Sequence, residues 1–349
     1  MNSHSEASPA CVLVDGASGY LGNHVVAALL NRGLVVHALV RPQVADSDRE
    51  FLQESGAQVF AVDLAPFQAD LAQGQRRKLE EAFNGVTHAV HLIGSIAPAK
   101  AENFRQLHQE QSRAFASWCV RARDVGGFAR AAMVTALGAD QNATSEYLRS
   151  KREGELALLS ELEPAKIASS IFRPSLIVGR AVGRRDSKLV KRYRQLARTR
   201  PFVPLVNGGR NLVQPVFVTD LAEAIVERLC QQPRLESGEL ESGLEYRPDF
   251  TSETFEIGGV QPLAMREVVE ALMAAINVKK SFVEIPMPLA LMAANLMQRF
   301  QDVPLLSADQ VRMTSFDNIC SDNALSKIID RSPTSLVDAL ATYHNWDGD

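Results

Sequence analysis

Val12-Leu13-Val14 runs into Gly16-Ala17-Ser18-Gly19-Tyr20-Leu21-Gly22, and the reading of this join decides the fold. Three successive apolar residues read as a buried strand. Leu21 to Leu30 reads as a helix that stops near Gly33. Glycines at the first, fourth and seventh places let the chain turn tightly and bring backbone N–H groups against a pyrophosphate. The helix N-terminus adds its partial positive charge. A purely structural turn is the competing reading, since the chain has 21 glycines. The position between an apolar strand and a helix favours the nucleotide turn.

Working outward, the pattern repeats. Val35 to Val40, Gln58 to Val62, Ala89 to Ile93, Ala131 to Val134 and Ala168 to Phe172 read as further strands. Helices are expected at Phe104 to Ala122 and Tyr147 to Leu162. Continuous apolar strands separated by helices imply a parallel sheet covered on both faces. The expected class is α/β, a Rossmann-type doubly wound parallel sheet with a smaller C-terminal α/β lobe. The expected division is a flexible N-terminus over 1–10, a nucleotide-binding domain over 11–175 and a smaller substrate or partner lobe over 176–349. Segments such as 214–230 are expected to return to the main domain. Gln214 to Val218 is strand-like, and Thr219-Asp220 is placed to cap a helix over Leu221 to Leu229. Ser237 to Asp249 reads as an exposed loop, Thr254 to Ile257 as a strand, and Met265 to Ile276 and Pro288 to Phe300 as helices.

At 349 residues, 46% hydrophobic and 22% charged, the chain has the composition of a globular protein large enough to fold without staples. A net charge of −4 gives no reason to expect nucleic acid as a partner. The four cysteines are scattered without metal-ligand spacing, so no metal is expected. Met1 to Pro9 shows no basic stretch leading into an apolar run, and no signal peptide is expected. A cytoplasmic location follows, with attachment to the inner face of a membrane left open.

The site residues cluster at strand ends. Arg41 follows the second strand, where NAD-preferring sites commonly carry an acid for the ribose 2′-hydroxyl. A cation there suits a 2′-phosphate, so NADP(H) is preferred and NAD(H) is the alternative; a solvated surface arginine is the plainer reading. Asp63, followed by Leu64, is placed to accept from an adenine amino group. Leu92, Ile93 and Gly94 end the fourth strand with small and apolar groups suited to flank a cofactor. Tyr147 and Lys151 stand four apart and share a helix face. An ammonium beside a phenol is expected to lower its pKa, so that the tyrosine exchanges a proton with a carbonyl or alcohol oxygen. Thr135, at the end of the fifth strand, is either a third hydroxyl polarising the substrate oxygen or a structural hydroxyl bonding the backbone.

With these motifs in place, the chain resembles the atypical or extended short-chain dehydrogenase/reductases. It is most similar to the family of the nucleotide-binding accessory subunit of respiratory complex I and its bacterial, epimerase/dehydratase-like relatives. The resemblance covers nearly the whole chain. It includes Gly16–Gly22, Val134-Thr135-Ala136-Leu137-Gly138-Ala139, Tyr147-Leu148-Arg149-Ser150-Lys151, Phe172-Arg173-Pro174-Ser175, and Pro204-Leu205-Val206-Asn207-Gly208-Gly209-Arg210 with Gln214-Pro215-Val216-Phe217-Val218. It implies NADPH contacted through Gly16, Ser18, Gly19, Tyr20, Leu21, Gly22, Arg41, Asp63 and Leu64. Lys151 and Pro174 join the cofactor positions, and Thr135 and Tyr147 lie near the nicotinamide ribose. Two functions remain open on this basis. One is an oxidoreductase or epimerase with an unidentified small-molecule substrate. The other is a non-catalytic NADPH-holding subunit of a larger complex.

Two features of the second lobe stand apart. Arg180 to Arg200 is strongly basic, and reads either as a solvated amphipathic helix or as an anion site for a phosphate-bearing substrate or lipid headgroup. Leu289 to Met297 is nearly apolar around its surface. Burial against the lobe competes with contact to a protein complex or a membrane surface.

Overall fold

Seven strands build the main sheet of the computed structural model, which describes residues 10–96, 103–231, 251–300 and 306–343. They are β1 (Cys11–Asp15), β2 (Val35–Val40), β3 (Gln58–Ala61), β4 (His88–His91), β5 (Arg130–Val134), β6 (Ala168–Pro174) and β7 (Ser252–Ile257). All pair in parallel, in the spatial order 3-2-1-4-5-6-7. This is the Rossmann-type doubly wound sheet expected from the alternation. The order reverses between β1 and β4, which opens a crevice at their carboxyl ends.

Helices cover both faces, which explains why the strands are apolar on both sides. One face carries α1 (Tyr20–Asn31), α7 (Val218–Cys230) and α11 (Leu325–Ile329). Val25, Leu29, Leu221, Ile225 and Leu325 pack there against Val12, Val14 and Val90. The other face carries α3 (Gln73–Phe83), α4 (Gln111–Val125) and α5 (Glu146–Leu162), with Phe83, Phe115, Trp118 and Leu158 packed against Leu13 and Ala131. The short α2 (Asp46–Glu54) joins β2 to β3.

After β6 the chain forms a second group of elements. These are α6 (Lys188–Thr199), the strand Phe202–Val206, α8 (Met265–Ala275), the strand Ser281–Ile285 and α12 (Leu336–Ala341), around Val190, Tyr193, Val203, Leu272 and Tyr343. A small cluster, Ala290, Ala294, Ala308 and Val311, joins α9 (Met287–Phe300) to α10 (Ala308–Met313).

Several elements depart from the expected ones. Phe104–Ala122 is not one regular helix: Arg105–Glu110 forms a π-helical turn before α4 begins. Such a turn carries an extra residue and re-aims its side chains, and here it turns His108 inward. Gln214–Val218 is not one strand. Leu212-Val213 pairs antiparallel with Leu263-Ala264, and Val216-Phe217 pairs in parallel with Ile177-Val178. Thr219-Asp220 does not cap α7, which begins earlier with Phe217 before its first turn. The Asp220 carboxylate instead accepts from Arg331 at 2.8 Å and from the Thr334 amide at 2.6 Å. Thr254–Ile257 belongs to β7, so the chain re-enters the main sheet beside β6. The expectations for residues 1–9 and for the loop Ser237–Asp249 lie outside the described residues.

Candidate active site

The glycine turn shows why each glycine is where it is. Gly16 has φ +62°, and a Cβ there would meet the Leu92 carbonyl carbon at 3.1 Å and the Ile93 nitrogen at 3.2 Å. Gly22 lies on α1, where a Cβ would sit 2.3 Å from the Gly16 carbonyl oxygen and 2.7 Å from that of Ala17. The first glycine makes the turn and the last lets helix and strand approach. Gly19 stands at the N-cap position of α1, and no side chain caps the helix. The leading N–H groups of α1 therefore need partners from outside the helix. Ser18 is buried, and Leu21 packs on the core below. These features fit an anion at the head of α1.

The tyrosine of the turn faces elsewhere. The Tyr20 hydroxyl donates to the Gly179 carbonyl at 2.5 Å. The Tyr343 hydroxyl donates to the same oxygen and lies 2.9 Å from Asp186. Burial, with Asp186 adding to it, pushes the Tyr20 phenol well up. The Tyr20 side chain thus ties the turn to the second lobe, leaving only its backbone for a ligand at the turn.

Beneath the turn lies a group that sequence reading missed. Asp15 is fully buried at the end of β1. Its carboxylate accepts from the Leu92 amide at 2.6 Å and the Ile93 amide at 3.3 Å, and lies 2.5 Å from His91 Nδ1. Asp15 thus fixes Leu92-Ile93 against Gly16. The only signal was a carboxylate directly before the first glycine.

Arg41 and Asp63 lie just past the ends of β2 and β3. Val40 pairs with Ala61, the Val62 amide donates to the Val40 carbonyl at 3.0 Å, and the two polar residues follow, both exposed. Leu64 is buried next to Asp63. Pro174 ends β6 and is buried, with its carbonyl accepting from the Leu137 amide at 2.9 Å.

Tyr147 and Lys151 stand on the first turns of α5, and Lys151 reaches Gly94 just past the end of β4. Lys151 is buried, its Nζ 6.0 Å from the Tyr147 ring centroid. A Cβ on Gly94 would lie 2.4 Å from that Nζ, so a side chain there would have to displace the ammonium. Burial lowers the Lys151 pKa to about 8, opposed by Glu155 and Asp15. Tyr147 is half-buried among His108 and Phe104, with ring centroids at 5.6 and 6.1 Å. The expected lowering of the phenol pKa is reversed: burial raises it. Desolvation acts on the phenolate more strongly than an ammonium at this distance stabilises it.

His108 is the second missed group. Its Nδ1 lies 2.8 Å from Ser150 Oγ, which donates to the Tyr147 carbonyl. Its Nε2 accepts from the Ser95 amide at 3.3 Å. Burial first, then Lys151 and His91, push its pKa down to about 2, so the ring is neutral and Nδ1 carries the proton. A histidine in a long helix pattern gave no sign of this. The π turn decides it.

Thr135 is buried, and its hydroxyl donates to Glu155 Oε1 at 2.7 Å. Glu155 also accepts from Arg173 at 2.8 and 2.5 Å and from Arg152 at 2.8 Å. The Thr135 proton is therefore committed to a carboxylate, with the Phe172 backbone carbonyl farther off at 3.5 Å.

The basic run divides. Arg185 pairs with Asp48 at 2.8 Å, while Arg184, Lys191, Arg198 and Arg200 are exposed. Lys188 donates to Ser95 Oγ at 2.8 Å, and Arg192 to Gln310 Oε1 at 2.8 Å. On α9, Leu289, Met292 and Leu296 are 53%, 65% and 56% exposed. Among the described residues, no helix is long and apolar enough to cross a membrane.

Residues 9–116 match the NmrA-like family model. The chain is 27% identical to the mitochondrial NADH dehydrogenase [ubiquinone] 1 alpha subcomplex subunit 9 of Arabidopsis thaliana, over 92% of this chain and 73% of that protein. It is 30% identical to the ceramide reductase of Caulobacter vibrioides, over 64% of this chain and 62% of that protein. In fold it resembles the Bacillus cereus UDP-glucuronic acid 4-epimerase solved with UDP-glucuronic acid and NAD. The TM-score is 0.65, at 16% identity, with 95% of this chain and 98% of that one covered.

Proposed function

We propose, from the premise that this chain belongs to the extended short-chain dehydrogenase/reductases related to complex I accessory subunits, that it is an NADP(H)-dependent reductase. The observation that carries this reading is Lys151 beside Gly94 with the Tyr147 ring next to it, where Leu92-Ile93 also meets Gly16 of the glycine turn. The Gly16–Gly22 backbone would hold the diphosphate, Arg41 the 2′-phosphate, Asp63 with Leu64 the adenine end, and Lys151 with Pro174 the nicotinamide ribose. A nicotinamide bound there supplies hydride to a carbonyl. Tyr147 is kept protonated by burial and donates the proton that completes the alcohol. Lys151 orients the ribose and favours the phenolate left behind. Neutral His108, held by Ser95 and Ser150, walls the tyrosine, while Thr135 acts on Glu155. The ceramide reductase relative supports a reductive direction.

Two measurements test this. Denaturing the purified protein and weighing the released nucleotide is expected to give NADPH. NADPH oxidation across a panel of carbonyl substrates is expected to fall at least about a hundredfold in Tyr147→Phe, with nucleotide affinity retained. An unchanged rate in that variant removes Tyr147 from the chemistry.

A second reading has its own observation. The exposed Leu289, Met292 and Leu296 stripe on α9 suits attachment to a protein assembly, and one relative is named as a subunit of an NADH dehydrogenase subcomplex. On that reading NADPH is a structural ligand. Stability then rises with bound NADPH, no substrate is turned over, and Tyr147→Phe behaves as wild type.

A further inference from the structure

Lys188 and Arg192 stand four apart on α6 and so share a face. That face turns towards the tyrosine site. The ammonium of Lys188 reaches Ser95, whose amide donates to the histidine packed on Tyr147. The guanidinium of Arg192 reaches Gln310, the neighbour of Asp309, which itself accepts from the Tyr147 amide at 3.0 Å. Lys151 adds a third cation, buried beside Gly94. Like charges at this helical spacing repel. Among the described residues, Arg192 has no carboxylate partner; the acceptor it reaches is a neutral amide oxygen, although the residue is partly buried. The nearest acid in sequence to that acceptor, Asp309, is committed to the start of α5 through Ser145, Glu146 and Tyr147. A cation held away from water without an anion is costly, and one that meets a substrate oxyanion is not.

We propose that Lys188 and Arg192 form the anion-holding end of the substrate cleft, and that the molecule reduced at Tyr147 carries a phosphate or comparable oxyanion. This rests on the reading of the Tyr147 crevice as a substrate site. The guanidinium offers a planar fork matched to phosphate, and the ammonium a point charge on its other side. Gln310 keeps the fork oriented while the anion is absent. Of the rest of the basic run, Arg184, Lys191, Arg198 and Arg200 are exposed and Arg185 is paired with Asp48.

The test is calorimetric titration of inorganic phosphate into the full chain saturated with NADPH at low ionic strength. Wild type is expected to bind phosphate, with Arg192→Gln weakening it about tenfold and Arg192→Lys restoring part of it. NADPH affinity is expected to change less than about twofold in each variant. Melting curves of the variants that overlay wild type show that the fold is retained. Phosphate binding that is absent in wild type, or equal in Arg192→Gln, overturns the proposal. So does a parallel loss of NADPH affinity, which assigns the arginine to the cofactor. If wild type binds no NADPH, the cofactor reading fails. The phosphate titration is then run on the nucleotide-free chain, where Arg192-dependent binding still supports the anion site. Sedimentation with phosphatidylglycerol vesicles, against phosphatidylcholine vesicles, identifies the source. Arg192-dependent capture by the anionic vesicles supports a lipid headgroup, and phosphate binding without capture supports a free phosphate ester.

Discussion

At the scale of single residues, Gly22 and Arg41 mark two different kinds of constraint. A methyl group on Gly22 would run into backbone oxygens of Gly16 and Ala17, neither of which can rotate away. Gly22→Ala is therefore expected to push α1 off β1 and cost about 1–3 kcal/mol in denaturant unfolding, with loss of nucleotide retention. Arg41 is exposed, and its removal leaves the core intact. Calorimetry on Arg41→Ala is expected to show NADPH affinity reduced about tenfold or more and NADH affinity nearly unchanged, since only NADPH has a 2′-phosphate to lose. Equal losses would place Arg41 outside the nucleotide site. Lys151 carries a pH dependence. Its pKa is about 8 in the fold and about 10.5 unfolded, so between these values the unfolded chain binds more protons and stability rises with pH. Below pH 8 the full burial penalty applies. Lys151→Met is thus expected to stabilise the protein at pH 7 by on the order of 3 kcal/mol relative to its effect near pH 10.5. Paired melts of wild type and variant at both pH values measure this.

At the scale of elements, α5 is held at its N-terminus by α10. Asp309 accepts from Ser145 Oγ at 2.7 Å, the Glu146 amide at 2.9 Å and the Tyr147 amide at 3.0 Å. A carboxylate there satisfies orphan N–H groups and complements the helix dipole. Ser307 caps α10 itself, and Gln310 binds both the Ser307 amide and Arg192. One short helix thus joins the tyrosine helix to the basic helix. Asp309→Asn is expected to cost about 1 kcal/mol and to speed hydrogen exchange in the first turn of α5. Unchanged exchange there would mean that the contact contributes nothing to holding Tyr147. The π turn at Arg105–Glu110 plays the matching part on the other side by aiming His108 at Ser150.

At the scale of the whole molecule, the main sheet supplies one edge of the crevice, and α6 and α10 approach it through Lys188 on Ser95 and Asp309 on the Tyr147 amide. Tyr20 from the turn and Tyr343 from beyond α12 meet on the Gly179 carbonyl, which ties the two together. The solvent-facing stripe of α9 is the surface on which the non-catalytic reading depends. Changing Leu289, Met292 and Leu296 together to serine is expected to leave melting temperature and NADPH affinity nearly unchanged, since these side chains pack on little. Co-purification with a larger assembly, if that reading holds, is expected to be lost.

The sequence by itself determined the sheet, the glycine turn and the strand-end position of Arg41, Asp63 and Leu92–Gly94. These depend on local signals: apolar runs, helical period and glycines where a side chain cannot fit. It also placed Tyr147 and Lys151 on one face of a helix. Tertiary structure decided what those side chains meet. Burial reversed the expected shift of Tyr147, Glu155 claimed Thr135, and Gly179 claimed Tyr20. Contacts between residues far apart in the chain, such as Asp309 with Tyr147 and Lys188 with Ser95, leave no periodic trace, because each is one polar group finding another only after the helices have packed. The same is true of Asp15 beneath the turn, where burial makes one carboxylate the support of a whole loop.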